Sequence, residues 1–277
     1  MAAISNKVKD RLVAGIKKYQ PILAAAKTRD VNESDTVTII KDLLADVFGY
    51  EKYSEITSEF AIRGTVVDLA IGLDGAFQML IEVKAIGLEL KDAHTKQAVD
   101  YAANQGLEWV ALTNGDNWHV YKVTFGQPIG QELVFEFDFL GLNAKSTDDI
   151  ETLYLLTKEG FGKSVLGEYH AQRQALSRYF IGAMLLTEPV LDVIRRELRR
   201  ISPDVKIDIH QISKVLAQEV VKREVLEGDK ADEARRRIIK VTNRAIRKAK
   251  DTAASEDVPV AEVPVPTPPA PTPPAQA

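Results

Sequence analysis

Cysteine is absent from the 277 residues, which excludes disulfide scaffolds, thiolate zinc sites, iron–sulfur clusters and cysteine nucleophiles. Histidine is scarce, and His94, His119, His170 and His210 show no metal-ligand spacing such as His-x₃-His. There is no Gly-x-Ser-x-Gly elbow, so Ser/His/Asp hydrolysis has no support. No stretch approaches the ~18 consecutive apolar residues of a membrane span. The N-terminus breaks its apolar residues with lysines every few positions and lacks a secretory hydrophobic core. The expectation is a cytoplasmic protein with no membrane partner.

What is present is ordinary in amount and uneven in placement. The chain is 45% apolar and 27% charged, a globular composition, and its length suggests about two domains. The net charge of −4 conceals two basic segments. Residues 1–29 carry seven Lys/Arg against one acid, and residues 229–251 carry nine against four. The middle of the chain is acidic. Such a protein could touch phosphates only through patches, and on charge alone both segments read as solvated helix faces.

The hydrophobic period divides the chain. Residues 3–27 read as an amphipathic helix. A second helix starts at Asn32, a good N-cap, and ends at Gly49. Short β-branched runs follow at 54–62, 66–71 and 77–85, separated by Arg63-Gly64 and by Asp74-Gly75, a strong hairpin signal. A helix is expected over 93–105, capped by Asp92. Strands are then expected at 109–113, 118–124 and 133–139. The order α-β-β-β-α-β, with further strands after it, predicts an α/β mixed sheet flanked by helices. From Asp148 onward the pattern is helical only, with helices expected at 148–157, 164–186, 188–201, 208–226 and 229–251. Residues 259–277 hold eight of the twelve prolines and read as an extended, disordered tail. The expected organisation is an α/β domain over 1–145, an all-α module over 146–252 and a Pro-rich tail over 253–277.

Asp68 sits in the apolar strand Thr65-Val66-Val67-Asp68-Leu69-Ala70-Ile71, where an ionised carboxylate costs several kcal/mol unless compensated. An arginine, backbone N–H donors or a metal could compensate it. The next strand reads Met79-Leu80-Ile81-Glu82-Val83-Lys84-Ala85, in which Glu82 and Lys84 project from one face. If Asp68 and Glu82 lie on adjacent strands of the 74–75 hairpin, their carboxylates converge. Two hard oxygen ligands and the Val83 carbonyl suit Mg²⁺, or Mn²⁺ in its place. Lys84 could then orient or deprotonate a water, or stabilise charge on a phosphate. Gln97 and Tyr101 are four apart on the following helix. Glu33 opens the second helix, where an acid also simply suits the helix dipole.

Together these residues resemble the PD-(D/E)xK nuclease superfamily, most closely the N-terminal nuclease domain of type I restriction enzyme R subunits. The elements that match are Asn32-Glu33, Val67-Asp68, Ile81-Glu82-Val83-Lys84, Gln97-xxx-Tyr101 and the turn Ala111-Leu112-Thr113-Asn114-Gly115. The resemblance implies a restriction-endonuclease-like fold and an Mg²⁺-dependent DNA endonuclease. It makes Asp68 and Glu82 metal ligands, Lys84 the catalytic lysine, Glu33 an auxiliary acid, and Gln97 and Tyr101 a supporting helix motif. Val67 stands where the name has proline. It also implies DNA as partner, with a homodimer or restriction-system subunits as the assemblies left open. In those R subunits an ATPase motor follows, but Thr157-Lys158-Glu159-Gly160-Phe161-Gly162-Lys163-Ser164 lacks the first P-loop glycine and reads as a helix–helix connection. Tyr169, Tyr179 and Phe180, with Arg173 and Arg178, read as core rather than as a nucleic-acid stacking platform. The rival function is a non-catalytic DNA-binding or adaptor module that keeps the nuclease fold.

Overall fold

The computed structural model describes residues 3–62 and 65–255. By its internal contacts it divides into two units, with the boundary between Arg173 and Gln174.

The first unit opens with α1 (Asn6–Thr28), capped by Ser5, whose Val8, Leu12, Ile16, Tyr19, Leu23 and Ala26 are buried at helical spacing. Pro21 lies on its exposed side. The second helix, α2 (Glu33–Asp46), is capped by Asn32 Oδ1, which accepts the Asp35 N–H (2.9 Å), and buries Ile40, Leu43 and Leu44. The helix itself stops at Asp46, and Gly49 turns the chain with φ +85°. The Arg11 guanidinium stands where a Cβ on Gly49 would go and donates to the Val47 and Phe48 carbonyls. A glycine is required there both for its conformation and for its missing side chain.

Six strands follow: β1 (Ile56–Ile62), β2 (Thr65–Leu73), β3 (Ala76–Val83), β4 (Trp109–Thr113), β5 (Asn117–Thr124) and β6 (Gly130–Asp138). They form one sheet in sequence order. All neighbours are antiparallel except β3 and β4. A parallel pair needs a crossover, here provided by a 3₁₀ turn at Asp92–Thr95 and α3 (Lys96–Gln105). The turn is capped by Lys91 instead of Asp92, and the α-helix starts only at Lys96. The Arg63-Gly64 turn lies outside the described residues.

The sheet is covered on both faces. Leu69, Ile71, Met79, Ile81, Val83 and Ala111 pack with α1 and α2, whereas Ala70, Leu80 and Val110 pack with Ala98, Val99, Tyr101 and Ala102 of α3. This alternation is what a two-residue period dictates. Residues 146–173, grouped with the helical module in the sequence reading, pack here too. α4 (Thr147–Tyr154), α5 (Lys158–Gly162) and α6 (Val165–Ala175) contribute Ile150, Leu153, Tyr154, Leu155, Leu156, Val165 and Leu166 to the α1/α2-side core. Tyr50 Oη donates to the Leu156 carbonyl (2.9 Å), and Lys158 N–H to that of Phe48 (2.9 Å). Thr157 is the N-cap of α5, so Gly160–Gly162, expected as a helix–helix connection, is instead the second half of a short helix; α4 and no strand precedes it, so the P-loop context is missing.

The second unit is helical throughout its described residues: α7 (Arg178–Leu185), α8 (Glu188–Ile201), α9 (Ile209–Val215) with a π-turn to Val220, α10 (Arg223–Leu226) and α11 (Asp229–Ser255). The single helix expected over 164–186 breaks because Ser177 caps a new one, its Oγ accepting the Phe180 N–H. A Cβ on Gly182 would meet Val225 at 2.6 Å, so α7 and α10 approach closely. The helix expected over 208–226 is three short pieces. Residues 253–255, assigned to the tail from sequence, belong to α11, and the rest of the Pro-rich segment lies outside the described residues.

Candidate functional site

Asp74 and Gly75 make the expected two-residue turn, both with positive φ (52° and 80°), closed by the Leu73↔Ala76 pair. Continued unbroken, that register would set Asp68 opposite Ile81 and Val67 opposite Glu82. Because paired residues share a face, the two carboxylates would then lie on opposite sides of the sheet. A β-bulge prevents this. Gly72 pairs with Phe77 but Ile71 with Met79, so Gln78 is an extra residue, and the ladder beyond runs Ala70↔Leu80 and Leu69↔Ile81. One further step along that register sets Asp68 across from Glu82. The signal was Gly72 inside an otherwise apolar strand, where glycine often marks a bulge.

The ladder ends at Leu69↔Ile81, and Asp68 takes over the pairing. Its Oδ2 accepts the Val83 N–H at 2.7 Å. On the other side β3 is held by β4, through the Val83↔Thr113 pair and the Lys84 N–H to the Thr113 carbonyl at 2.8 Å. Lys84 thus lies one residue past β3. Its ammonium donates to Glu82 Oε1 (2.7 Å) and to the Val83 carbonyl (2.9 Å), and reaches Glu33 Oε2 at 3.4 Å. Glu33, which the dipole alone would explain, therefore does meet the cluster. The Val83 side chain is fully buried, as its place between Glu82 and Lys84 requires.

Burial pushes the Asp68 carboxyl up, outweighing the Val83 N–H and Lys84, which favour its ionised form. Burial also pushes Glu82 up, as does the nearby Asp68 charge, against the bond from Lys84. For Lys84, burial disfavours the charge, but Glu82, Glu33 and Asp68 together hold its pKa above the ordinary lysine value. Three carboxylates face one ammonium, and Glu82 Oε2 is buried with no hydrogen-bond partner. An orphaned anionic oxygen is costly. A hard divalent cation would satisfy it, and the donors on hand (two carboxylates and a carbonyl) are of the kind such a cation takes. Among the described residues no group of three or more His, Asp or Glu side chains is arranged to hold a metal, so any such site rests on that smaller set.

Gln97 and Tyr101 stand apart from the cluster. Gln97 is exposed and its amide donates to the Val66 carbonyl (3.2 Å), tying α3 to the edge of β2 two residues before Asp68. Tyr101 is buried in the α3-side core with an unpartnered hydroxyl. Arg173 donates to the Val134 carbonyl (2.8 Å) beside the Tyr169 ring, and Tyr169 packs half-buried against the α1/α2-side core as expected; Tyr179 and Phe180 are half-buried outside both cores, and the Arg178 guanidinium lies over the Tyr179 ring. Among the described residues no helix is long and apolar enough to cross a membrane.

Residues 39–134 match the family described as type I restriction enzyme R protein N terminus. The match covers about a third of the chain, from within α2 into β6. It includes Asp68, Glu82, Val83, Lys84, Gln97 and Tyr101, but not Glu33. Comparison with curated proteins and with solved structures found no match.

Proposed function

We propose that this chain is a metal-dependent phosphodiesterase that cuts DNA internally, an endonuclease of the restriction or DNA-processing kind with a restriction-endonuclease-like core. The observation that carries the reading is the meeting of Asp68, Glu82 and Lys84 at one end of β3, within the segment that resembles the R-subunit N terminus. Asp68, Glu82 and the Val83 carbonyl would hold Mg²⁺ or Mn²⁺. Such a cation supplies positive charge against the charge that develops on a phosphodiester.

The chain's own residues set the rest. Asp68 uses Oδ2 to fix the Val83 peptide and has a second oxygen to offer. Lys84, held charged by its three acidic neighbours, serves as a fixed donor to a phosphate oxygen rather than as a base. Glu33 keeps that ammonium placed from the far side. Gln97 acts through the Val66 carbonyl and so positions the strand that carries Asp68.

The test is supercoiled plasmid incubated with each of several divalent metals. Cleavage should require Mg²⁺ or Mn²⁺, and Asp68→Ala and Lys84→Ala, shown to be folded, should each lose roughly 100-fold or more, the scale of a removed transition-state donor. Equal activity in those variants would end the reading. One observation favours a non-catalytic adaptor instead: the Lys84 ammonium already bonds the carbonyl that would be a ligand. DNA binding without cleavage under every metal is the outcome that would select it.

A further inference from the structure

The two units differ in charge. Residues 1–173 carry eighteen Lys/Arg against twenty-five Asp/Glu, whereas residues 174–255 carry eighteen against twelve. Much of the excess lies on α11. After the acids of its first turns (Asp229, Asp232 and Glu233), residues 234–250 hold eight Lys/Arg and no acid. Helical spacing sorts them. Ala231 and Ala234 are buried and Ile238 is half-buried, one stripe of the helix, while Arg236, Lys240 and Arg244, at i, i+4 and i+8, are exposed on another.

A merely solvated helix face interleaves its charges, and α8 does so: Arg195 pairs with Asp192 and Arg200 with Glu197. On α11 the Arg235–Asp232 pair falls in the second turn; Arg236 still has Asp232 and Glu233 at i−4 and i−3, but Lys240 and Arg244 have no acid three or four residues away along the helix. Like charges at i, i+4 destabilise a helix, so this face is built against its own stability and is relieved by a polyanion. The helix has no Leu, Phe, Tyr or Trp. Its described exposed apolar side chains, Ile239 and Val241, flank the cation row on opposite sides and do not make the continuous apolar face that an interfacial helix sinks into lipid, and it has none of the aromatic rings on which single-stranded bases stack. What remains is a row of cations spaced along a rod, suited to the sequence-independent phosphate backbone of a duplex.

We infer that the Arg236/Lys240/Arg244 face of α11 is a binding surface for the phosphate backbone of duplex DNA. The inference rests on the proposed action on DNA, and it assigns the affinity to the helical unit instead of the acidic α/β unit.

The experiment is fluorescence anisotropy of a labelled 30-base-pair duplex titrated with the full-length chain in EDTA, across a series of salt concentrations. The variant is Arg236→Gln/Lys240→Gln/Arg244→Gln, with circular dichroism as the fold control. The expected result is wild-type binding that weakens steeply with salt. The triple variant should bind about tenfold or more weakly, its log K against log salt shallower by roughly two to three. Absent duplex binding, a flat salt dependence in the wild type, an unchanged slope in the variant, or preference for phosphatidylserine vesicles over duplex would each overturn it. Because EDTA removes the metal, loss of the Asp68/Glu82 chemistry cannot mimic these outcomes. A chain that cuts nothing yet binds duplex through α11 would end the phosphodiesterase reading alone. One that cuts normally, with binding unchanged by the triple substitution, would end this inference alone.

Discussion

Asp68 and Glu82 hold negative charge where burial opposes it, and both carboxyls are pushed upward for that reason first. A carboxyl whose folded pKa exceeds its unfolded one binds more protons in the native state, so its contribution to stability falls as pH rises between the two values. Without metal, the ionised pair is therefore a local cost at pH 8. Asp68→Asn removes one charge while its side-chain oxygen can still accept the Val83 N–H. The expected outcome in EDTA at pH 8 is a thermal midpoint equal to or above wild type. Mg²⁺ should raise the wild-type midpoint and leave that of the variant unmoved. A variant less stable than wild type in EDTA, or one that still responds to Mg²⁺, would count against a cation site built on Asp68. The same directions govern activity. Protons and metal compete for these carboxylates, so cleavage should fall on the acid side above the ordinary carboxylate range near ~4. More Mg²⁺ should move that limb to lower pH, as rate profiles at two metal concentrations would show.

At the scale of elements, strand register decides whether a site exists at all. Gln78 is the extra residue between Gly72↔Phe77 and Ile71↔Met79, so deleting it joins the two ladder segments without a bulge and leaves Glu82 across from Asp68. Deleting Leu80 instead, beyond the bulge, moves Ile81 and Glu82 each to the opposite face of β3. The Gln78 deletion should keep cleavage, whereas the Leu80 deletion should abolish it and lower stability by roughly 2–4 kcal/mol, the scale of misplacing one or two buried side chains, read by chemical denaturation. An active, fully stable Leu80 deletion would show that register does not place Glu82.

How far the sequence speaks is clearest at this scale. Asp74-Gly75, the β-branched runs and the embedded charges were legible because each is a local signal with one dominant cause. The bulge was not, because a one-residue slip leaves composition and period almost unchanged. Gly72 was its only trace. Nor was the fate of Gln97 and Tyr101 legible. Helical spacing puts them on one side of α3, but it cannot say that one would meet a strand edge and the other the core.

At the scale of the whole molecule, the sequence changes period near residue 146 but the packing changes partner only at 173. Helical periodicity marks where strands stop, and it carries no information about which core a helix covers. Here Ile150, Leu153, Tyr154, Leu155, Leu156, Val165 and Leu166 complete the core beneath α1 and α2. Fully burying one such side chain contributes roughly 1.5–3 kcal/mol, so removing all seven withdraws on the order of 10 kcal/mol or more, comparable to the whole stability of a domain at about 5–15 kcal/mol. A fragment of residues 1–173 should therefore unfold cooperatively, while a fragment of residues 1–145 should be largely unfolded or aggregated, as near-UV circular dichroism and urea denaturation would show. The cation site proposed on residues 33–84 should show Mg²⁺-dependent stabilisation in the longer fragment as in the whole chain, whereas the salt-dependent duplex affinity assigned to α11 should be lost from it. A well-folded 1–145 fragment would place the boundary back where the periodicity changes. A 1–173 fragment that keeps full duplex affinity would move the DNA-binding surface into the α/β unit.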